Sequence, residues 1–130
     1  MGGNAELYRQ AAQAWNDRDA ERFLELAHPE VEWLSRLTAV EGAYKGHEGV
    51  RRYFADLAET FEEISIVEIE KLEEHGDWVV AALRFRGTGA ASHATIDWEV
   101  GHATRFRNGL VVESVAEPTW EGARAAVGLE

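Results

Sequence analysis

The feature that most constrains the fold is a change in the spacing of apolar residues about halfway along the chain. Up to Phe61, apolar side chains recur every three or four positions, which is typical of one face of an α-helix. From Glu62 onward they recur every second position, as in strands that bury one face. Helices in the first half and strands in the second predict an α+β fold, with the helices on one face of a curved antiparallel sheet.

Three helices are predicted before this change. The first has Asn4 as its N-cap, and the second is capped by Asp19 and ends at His28-Pro29. The inward face of the first consists of Leu7, Ala11, Ala14 and Trp15. The third has the strongest periodicity, with an apolar stripe of Val50, Tyr53, Phe54, Leu57, Ala58 and Phe61. Residues 31–34 predict a short strand, followed by an irregular stretch to Gly46.

The second half predicts a run of antiparallel strands. Ile64 and Ile66 share one face while Val67 and Ile69 share the other, so a β-bulge is expected near residues 66–67. The strand over residues 78–86 is apolar on both faces. It is therefore either central or covered on its outer face by a second subunit.

The last part of the chain contains a hairpin and a helix. Residues 87–89 open a connection to a strand over 95–107, and Asn108-Gly109 is a strong turn signal that joins it to a strand over 110–117. Thr119 is expected to cap a final helix that ends before Gly128.

The composition limits the class of protein. A chain of 130 residues predicts a single domain over 1–130, and the absence of cysteine excludes disulfides and thiol chemistry. The net charge of −11 repels phosphates and anionic lipid, so neither nucleic acid nor a membrane is an expected partner. No apolar run reaches the ~20 residues of a membrane span, and the start of the chain lacks a signal-peptide pattern. The predicted location is cytoplasmic.

Four segments resemble the SnoaL-like branch of the nuclear-transport-factor-2-like superfamily. They are AWNDRD (14–19), PEVEW (29–33), YKGHEGVRRYF (44–54) and RNG (107–109). The resemblance implies a cystatin-like cone, in which a curved sheet wraps around the long third helix and leaves a pocket open at one end. The family includes ketosteroid isomerases, polyketide cyclases and limonene-epoxide-hydrolase-like enzymes. Most members are dimers through the outer sheet face, so a homodimer is expected.

Ketosteroid isomerases of this fold use a tyrosine on the first helix, an aspartate base after the first strand and a protonated aspartate on a late strand. Carried onto this sequence, the tyrosine position falls near Ala11, one turn from Tyr8. The base position falls near Trp33 or Leu34, neither of which can take a proton, and the late acid maps to about His102 or Ala103. Since two of the three groups are missing, the resemblance does not extend to ketosteroid isomerase activity proper.

His102 is the leading candidate for chemistry. It lies with Phe106 on the more apolar face of its strand, which is expected to face the core and the pocket. An imidazole there could exchange a proton with a ligand near neutral pH. The alternative is a structural histidine bonded to a neighbouring element. Glu32 is a second acid–base candidate, although strand alternation points it to the other face.

Aromatic residues are the candidates for ligand contacts, since they could line a pocket for a flat or polycyclic apolar molecule. They are Trp15, Trp33, Tyr53, Trp98 and Phe106. Core filling explains each of them equally well.

The remaining motifs predict no metal site and no cofactor. Position 51 is arginine, so His47-Glu48 lacks the second histidine of a zinc-protease helix, and residues 46–49 fit a helix start instead. The five histidines are scattered without metal-ligand spacing. Epoxide hydrolysis would require two inward aspartates, and Asp97 is the only candidate on the sheet.

The leading functional hypothesis is a homodimeric pocket protein that isomerises, cyclises or dehydrates an apolar polyketide-like or terpenoid-like substrate by proton transfer. His102 would be the acid–base group. Two alternatives stay open, namely a non-catalytic binder of a small hydrophobic ligand and a dimeric protein-interaction module.

Overall fold

The α+β order is present in the computed structural model, which describes residues 3–38 and 42–129. In this part of the chain the helices are α1 (Gly3–Asn16), α2 (Ala20–Glu25), α3 (Gly46–Thr60) and α4 (Trp120–Ala126). The strands are β1 (Ala27–Leu34), β2 (Ala43–Lys45), β3 (Phe61–His75), β4 (Trp78–Gly89), β5 (Thr95–Arg107) and β6 (Leu110–Glu117). The bounds of β5 and β6 agree with the prediction.

The described strands form one curved, open sheet in the order β2-β1-β6-β5-β4-β3. Side chains of α1, α2 and α3 share a buried core with the inner face of this sheet, which confirms the predicted architecture. The sheet is not wholly antiparallel, because β1 runs parallel to β6, with Trp33 opposite Ser114. The chain reverses direction from β3 to β4, from β4 to β5 and from β5 to β6, and after these reversals β6 runs in the same direction as β1.

β3 is bent by irregular pairing with β4. Its 15 residues lie beside the 12 of β4, and register shifts follow Phe61, Ile66 and Ile69. The shift after Ile66 confirms the predicted bulge and lets both Ile66 and Ile69 pack against the core. The shift after Ile69 is not indicated by the sequence pattern, and it directs Leu72 to the same core.

The most apolar part of the outer face of β4 is covered by α4. Val80 packs with Ala103 and with Ala123 of α4, and all three are fully buried. This approach depends on Gly101, because a Cβ at that position would lie 1.9 Å from the carbonyl oxygen of Thr119. β4 lies between β5 and β3, so the prediction that this strand is central is confirmed. No second subunit is needed to cover Val80.

Two helix caps are confirmed, and two details of the helices are wrong. Asp19 accepts a hydrogen bond from the backbone N–H of Arg22 (3.1 Å), and Thr119 caps α4 in the same way. Asn4 lies inside α1, which already begins at Gly3, so it is not the N-cap. Ala58 is exposed, because it lies to the side of the stripe by which α3 packs.

The predicted strands over residues 31–34 and 78–86 are present within β1 and β4, but three details of the strand predictions are wrong. β1 begins at Ala27, which pairs with Val111 of β6, and it contains His28-Pro29. The residues that follow Ala27 have no ladder partner on β6, so a proline there costs no hydrogen bond between the strands. The stretch expected to be irregular contains β2, which pairs with the end of β1. β4 continues through residues 87–89, since its pairing with β3 and β5 extends that far.

The last residue of α1 and the turn that follows it attach this helix to the outer edge of β3. Asn16 Nδ2 donates to the carbonyl oxygen of Ile66 (3.1 Å), and Asn16 Oδ1 accepts from the backbone N–H of Ile66 (2.8 Å). Arg18, in a left-handed conformation (φ 57°), donates to the carbonyl oxygen of Ile64. Because β3 is an edge strand, these side chains take the place of a neighbouring strand.

Replacing Asn16 with alanine removes both bonds to Ile66 and leaves a part-buried N–H and carbonyl without partners. We expect Asn16→Ala to lower the free energy of unfolding by about 1–3 kcal/mol, measured by urea denaturation. Gln13→Ala is the matched control, because Gln13 lies on the same helix as Asn16 and makes an exposed bond to Asp17. It should change that free energy by less than about 0.5 kcal/mol. Equal losses in the two variants would contradict the role of the Ile66 bonds.

Candidate functional site

A cavity of about 60 Å³ lies between α1, the end of β1 and the concave face of the sheet. Its wall is mostly apolar, and the segment after β1 contributes Ser35, Arg36 and Leu37. Pockets that enclose drug-sized ligands measure about 300–1,000 Å³. The cavity as it stands is far smaller than such pockets, so a single-ring ligand requires the wall to move outward, and the flat polycyclic ligand considered above requires a larger movement.

The cavity brings together five of the seven predicted site residues. They are Trp15, Trp33, Tyr53, His102 and Phe106. Trp98 is not among the lining residues, because its ring stacks on Phe61 and Phe85, with ring centroids 6.2 and 5.7 Å away. Glu32 is exposed on the other face of β1. The candidate site therefore excludes Trp98 and Glu32.

The polar centre of the wall is a hydrogen bond between α1 and β5. Tyr8 Oη lies 2.8 Å from His102 Nδ1, and both side chains are buried. Burial lowers the pKa of His102 to about 4 and raises the pKa of Tyr8, because the charged form of each would lose its hydration. Both groups are therefore neutral at neutral pH.

The partners of these two groups assign the imidazole proton. Among the described residues, Tyr8 Oη has one hydrogen-bond partner, which is His102 Nδ1. A buried phenol proton requires an acceptor, so the Tyr8 O–H donates to Nδ1 and the imidazole N–H is at Nε2. Nε2 has no partner in the described part of the chain, and His102 lines the cavity. His102 thus offers a neutral N–H donor to a bound molecule.

The hydroxyl of Tyr53 is a second polar group in the wall. It accepts a hydrogen bond from Trp15 Nε1 (2.9 Å), and burial raises its pKa. The indole of Trp33 packs against the Tyr53 ring, with 5.9 Å between ring centroids. Trp33 Nε1 approaches the same oxygen but makes no hydrogen bond of acceptable geometry with it.

Two buried side-chain polar atoms have no hydrogen-bond partner in residues 3–38 and 42–129, namely Trp33 Nε1 and Thr104 Oγ1. Both residues line the cavity, and Thr104 follows His102 by two positions on the inner face of β5. None of the described lining residues is a carboxylate. The wall therefore offers hydrogen-bond donors in apolar surroundings.

Tyr8 and Thr104 line the site but are not among the predicted site residues, although the resemblance places Tyr8 one turn from a family tyrosine position. Tyr8 precedes Ala11 by three positions and Trp15 by seven, so helical spacing does place it on the buried face of α1. Thr104 likewise shares the predicted inner face of its strand with His102. The local spacing of residues does not predict the hydrogen bond between Tyr8 and His102, because these residues are 94 positions apart.

The motif at residues 46–49 has the structural role predicted for it. Gly46 begins α3, His47 Nε2 lies 3.0 Å from the carbonyl oxygen of Ala27, and Glu48 pairs with Arg51. The described residues contain no cluster of three or more side chains that could hold a metal ion. None of the described helices is long and apolar enough to cross a membrane.

Residues 8–114 match a family model described as a SnoaL-like domain. No curated protein matches the chain. Among solved structures, an NTF2-like protein of unknown function from Burkholderia pseudomallei is 20% identical, with a TM-score of 0.82 and coverage of 98% of this chain and 99% of that one.

TerC, co-crystallised with polyporic acid, is also 20% identical, with a TM-score of 0.80 and coverage of 95% and 96% of the two chains. A protein with a ketosteroid isomerase-like fold from Catenulispora acidiphila, in complex with trimethylamine, is 16% identical, with a TM-score of 0.77 and coverage of 96% and 94%. These likenesses confirm the predicted nuclear-transport-factor-2-like fold.

The neutral state of His102 predicts a pH dependence of stability. The ordinary pKa of histidine is about 6.5, and burial lowers that of His102 to about 4, so the unfolded chain binds a proton first as the pH falls. The contribution of His102 is therefore complete above about pH 6.5 and is lost as the pH falls toward 4, by about 3 kcal/mol in all.

We expect the free energy of unfolding of the unmodified chain to fall by that much more than that of His102→Gln between about pH 7 and pH 4. Urea denaturation at several pH values measures both, and the acidic residues common to the two chains cancel in the difference. Parallel curves would contradict a buried neutral imidazole.

Proposed function

We propose that this chain, which belongs to the SnoaL-like domain family, binds a compact apolar molecule in the cavity and holds a carbonyl oxygen of that molecule against Nε2–H of His102. The observation that carries the proposal is the 2.8 Å contact between Tyr8 Oη and His102 Nδ1. This contact leaves the imidazole proton on Nε2, away from Tyr8. In apolar surroundings such a donor interacts more strongly with an acceptor than it would in water.

Two structures of the same fold support a small-molecule ligand. TerC was co-crystallised with polyporic acid, and the Catenulispora acidiphila protein is in complex with trimethylamine. The apolar wall of the cavity supports the same kind of ligand here.

The same donor could assist a reaction. When a carbonyl compound enolises or cyclises, negative charge develops on its oxygen, and an N–H aimed at that oxygen stabilises the transition state. Such a reaction also requires a base, and no carboxylate occurs among the described lining residues. We therefore propose binding first. Cofactor-independent proton transfer on a polyketide-like or terpenoid-like substrate, with the neutral N–H of His102 stabilising the charge that develops on the substrate oxygen, is the second candidate.

Cyclohexanone and methylenecyclohexane test the contact with His102, because they have nearly the same shape and only the ketone accepts a hydrogen bond. We expect the unmodified chain to bind the ketone roughly five- to tenfold more tightly, as one hydrogen bond to a neutral donor provides. His102→Phe keeps a ring in the wall and should abolish this preference. Titrations followed by NMR give the dissociation constants.

Tyr8→Phe is the intermediate case, because it frees Nδ1 and lets the imidazole proton leave Nε2. The ketone preference should then fall but not vanish. An equal preference in the unmodified chain and in His102→Phe would contradict the proposed contact. If neither compound binds, the cavity is not a ligand site and a protein-interaction module becomes the better hypothesis.

We also propose that two copies of the chain form a homodimer through the outer sheet face that α4 leaves open. On this face Arg84 pairs with Glu70, and Arg86 pairs with Asp97, so opposite charges alternate across neighbouring strands. A two-fold axis can bring such a pattern into register with its own copy.

Sedimentation equilibrium should then give the mass of two chains. Arg86→Glu places like charges together at the interface and should shift the mass toward that of one chain. Arg22→Glu, at an exposed pair on α2 away from this face, should leave the mass unchanged. A single-chain mass for the unmodified protein would contradict the dimer.

A further inference from the structure

We propose that Thr104 is a ligand-binding residue and that the ligand carries a second acceptor oxygen, as a cyclic diketone does. Thr104 would act on the same molecule that contacts His102, so the proposal rests on the function proposed above. Thr104 Oγ1 and Trp33 Nε1 are the two buried side-chain atoms without a partner in the described chain, and both residues belong to the wall of one cavity.

An unpartnered hydroxyl at this position destabilises the free protein, because it loses its bonds to water and gains none in return. Thr104 is only 2% exposed, and valine would fill nearly the same volume without a hydroxyl. A threonine at this position is explained if its hydroxyl has a partner in the bound state.

Ser114 shows the usual arrangement for a buried hydroxyl in this sheet. It lies directly opposite Thr104 on β6 and is 3% exposed. Its Oγ accepts a hydrogen bond from the backbone N–H of Leu34 (3.3 Å), whereas Thr104 Oγ1 has no partner among the described residues. Thr104 differs from Ser114 in one further respect, which is that it lines the cavity.

The three donors occupy one stretch of the wall. His102 and Thr104 project from alternate positions of β5, so their Cα atoms are about 7 Å apart. Trp33 packs edge-on against His102, with 5.4 Å between ring centroids, and lies in the same row of the sheet as Ser114 and Thr104. Two oxygens at opposite ends of a small ring would therefore lie near two different donors once the wall moves enough to expose the buried Thr104 hydroxyl.

The chemistry of these groups favours acceptors in the ligand. The indole N–H of Trp33 can only donate, His102 donates through Nε2, and the threonine hydroxyl can do so as well. The described lining residues include no carboxylate that could accept a hydrogen bond from the ligand. A carbonyl oxygen therefore fits this wall better than an amine.

Cyclohexane-1,4-dione and cyclohexanone test the role of Thr104, because they differ by one oxygen on the same ring. We expect the unmodified chain to bind the dione roughly five- to tenfold more tightly than the ketone. Thr104→Val should lose this preference and retain its affinity for cyclohexanone. Thr104→Ser restores the hydroxyl and should keep the preference.

Ser114→Ala is the matched control, since it removes a buried hydroxyl from the same row outside the cavity wall. It should keep the preference for the dione. Without ligand, the two variants should also differ in stability: Thr104→Val should have a higher urea midpoint than the unmodified chain, and Ser114→Ala a lower one.

Two results overturn the role of Thr104 while leaving the His102 contact intact. One is an equal preference for the dione in the unmodified chain and in Thr104→Val. The other is an unmodified chain that binds cyclohexanone but does not prefer the dione. Failure of both compounds to bind the unmodified chain overturns the proposed function itself, and the role of Thr104 with it.

Discussion

The attachment of α1 to the free edge of β3 is the interaction on which the rest of the structure depends. Asn16 and Arg18 bond to the backbone of that edge, so the end of α1 is fixed relative to the sheet. Tyr8 and Trp15 lie on the same buried face of this helix. One attachment therefore places both the Tyr8 hydroxyl and the Trp15 indole N–H in the cavity wall. Polar groups carried by a packed helix keep their positions better than groups on loops.

Much of the fold can be predicted because its determinants are close together in the chain. Asn108 and Gly109 both have positive φ (53° and 79°), as the predicted turn requires, and the strands on either side have the predicted bounds. The bulge after Ile66 is visible in the sequence as a change in the alternation of apolar residues. Asp19 lies three residues from Arg22, whose backbone N–H donates to it. Each of these features involves residues only a few positions apart.

The features that could not be predicted involve residues far apart. Sequence alone suggests a histidine that exchanges protons near neutral pH, whereas burial beside Tyr8 lowers the pKa of His102 to about 4 and makes it a hydrogen-bond donor. Trp98 does share the inner face of β5 with His102, but it lies nearer the end of the strand, where Phe61 provides a stacking partner. The parallel pairing of β1 with β6 is likewise a long-range contact.

The unequal lengths of β3 and β4 have a consequence for how the concave shape is encoded. Three residues of β3, namely Glu62, Val67 and Glu70, have no partner opposite them on β4, and each inserted residue bends the strand. The curvature that makes room for the cavity therefore results from β3 having three more residues than its neighbour β4. Because the bend depends on the number of inserted residues and not on their side chains, the shape tolerates substitution at these positions. Loss of one residue, by contrast, would turn the side chains beyond it to the opposite face of the sheet.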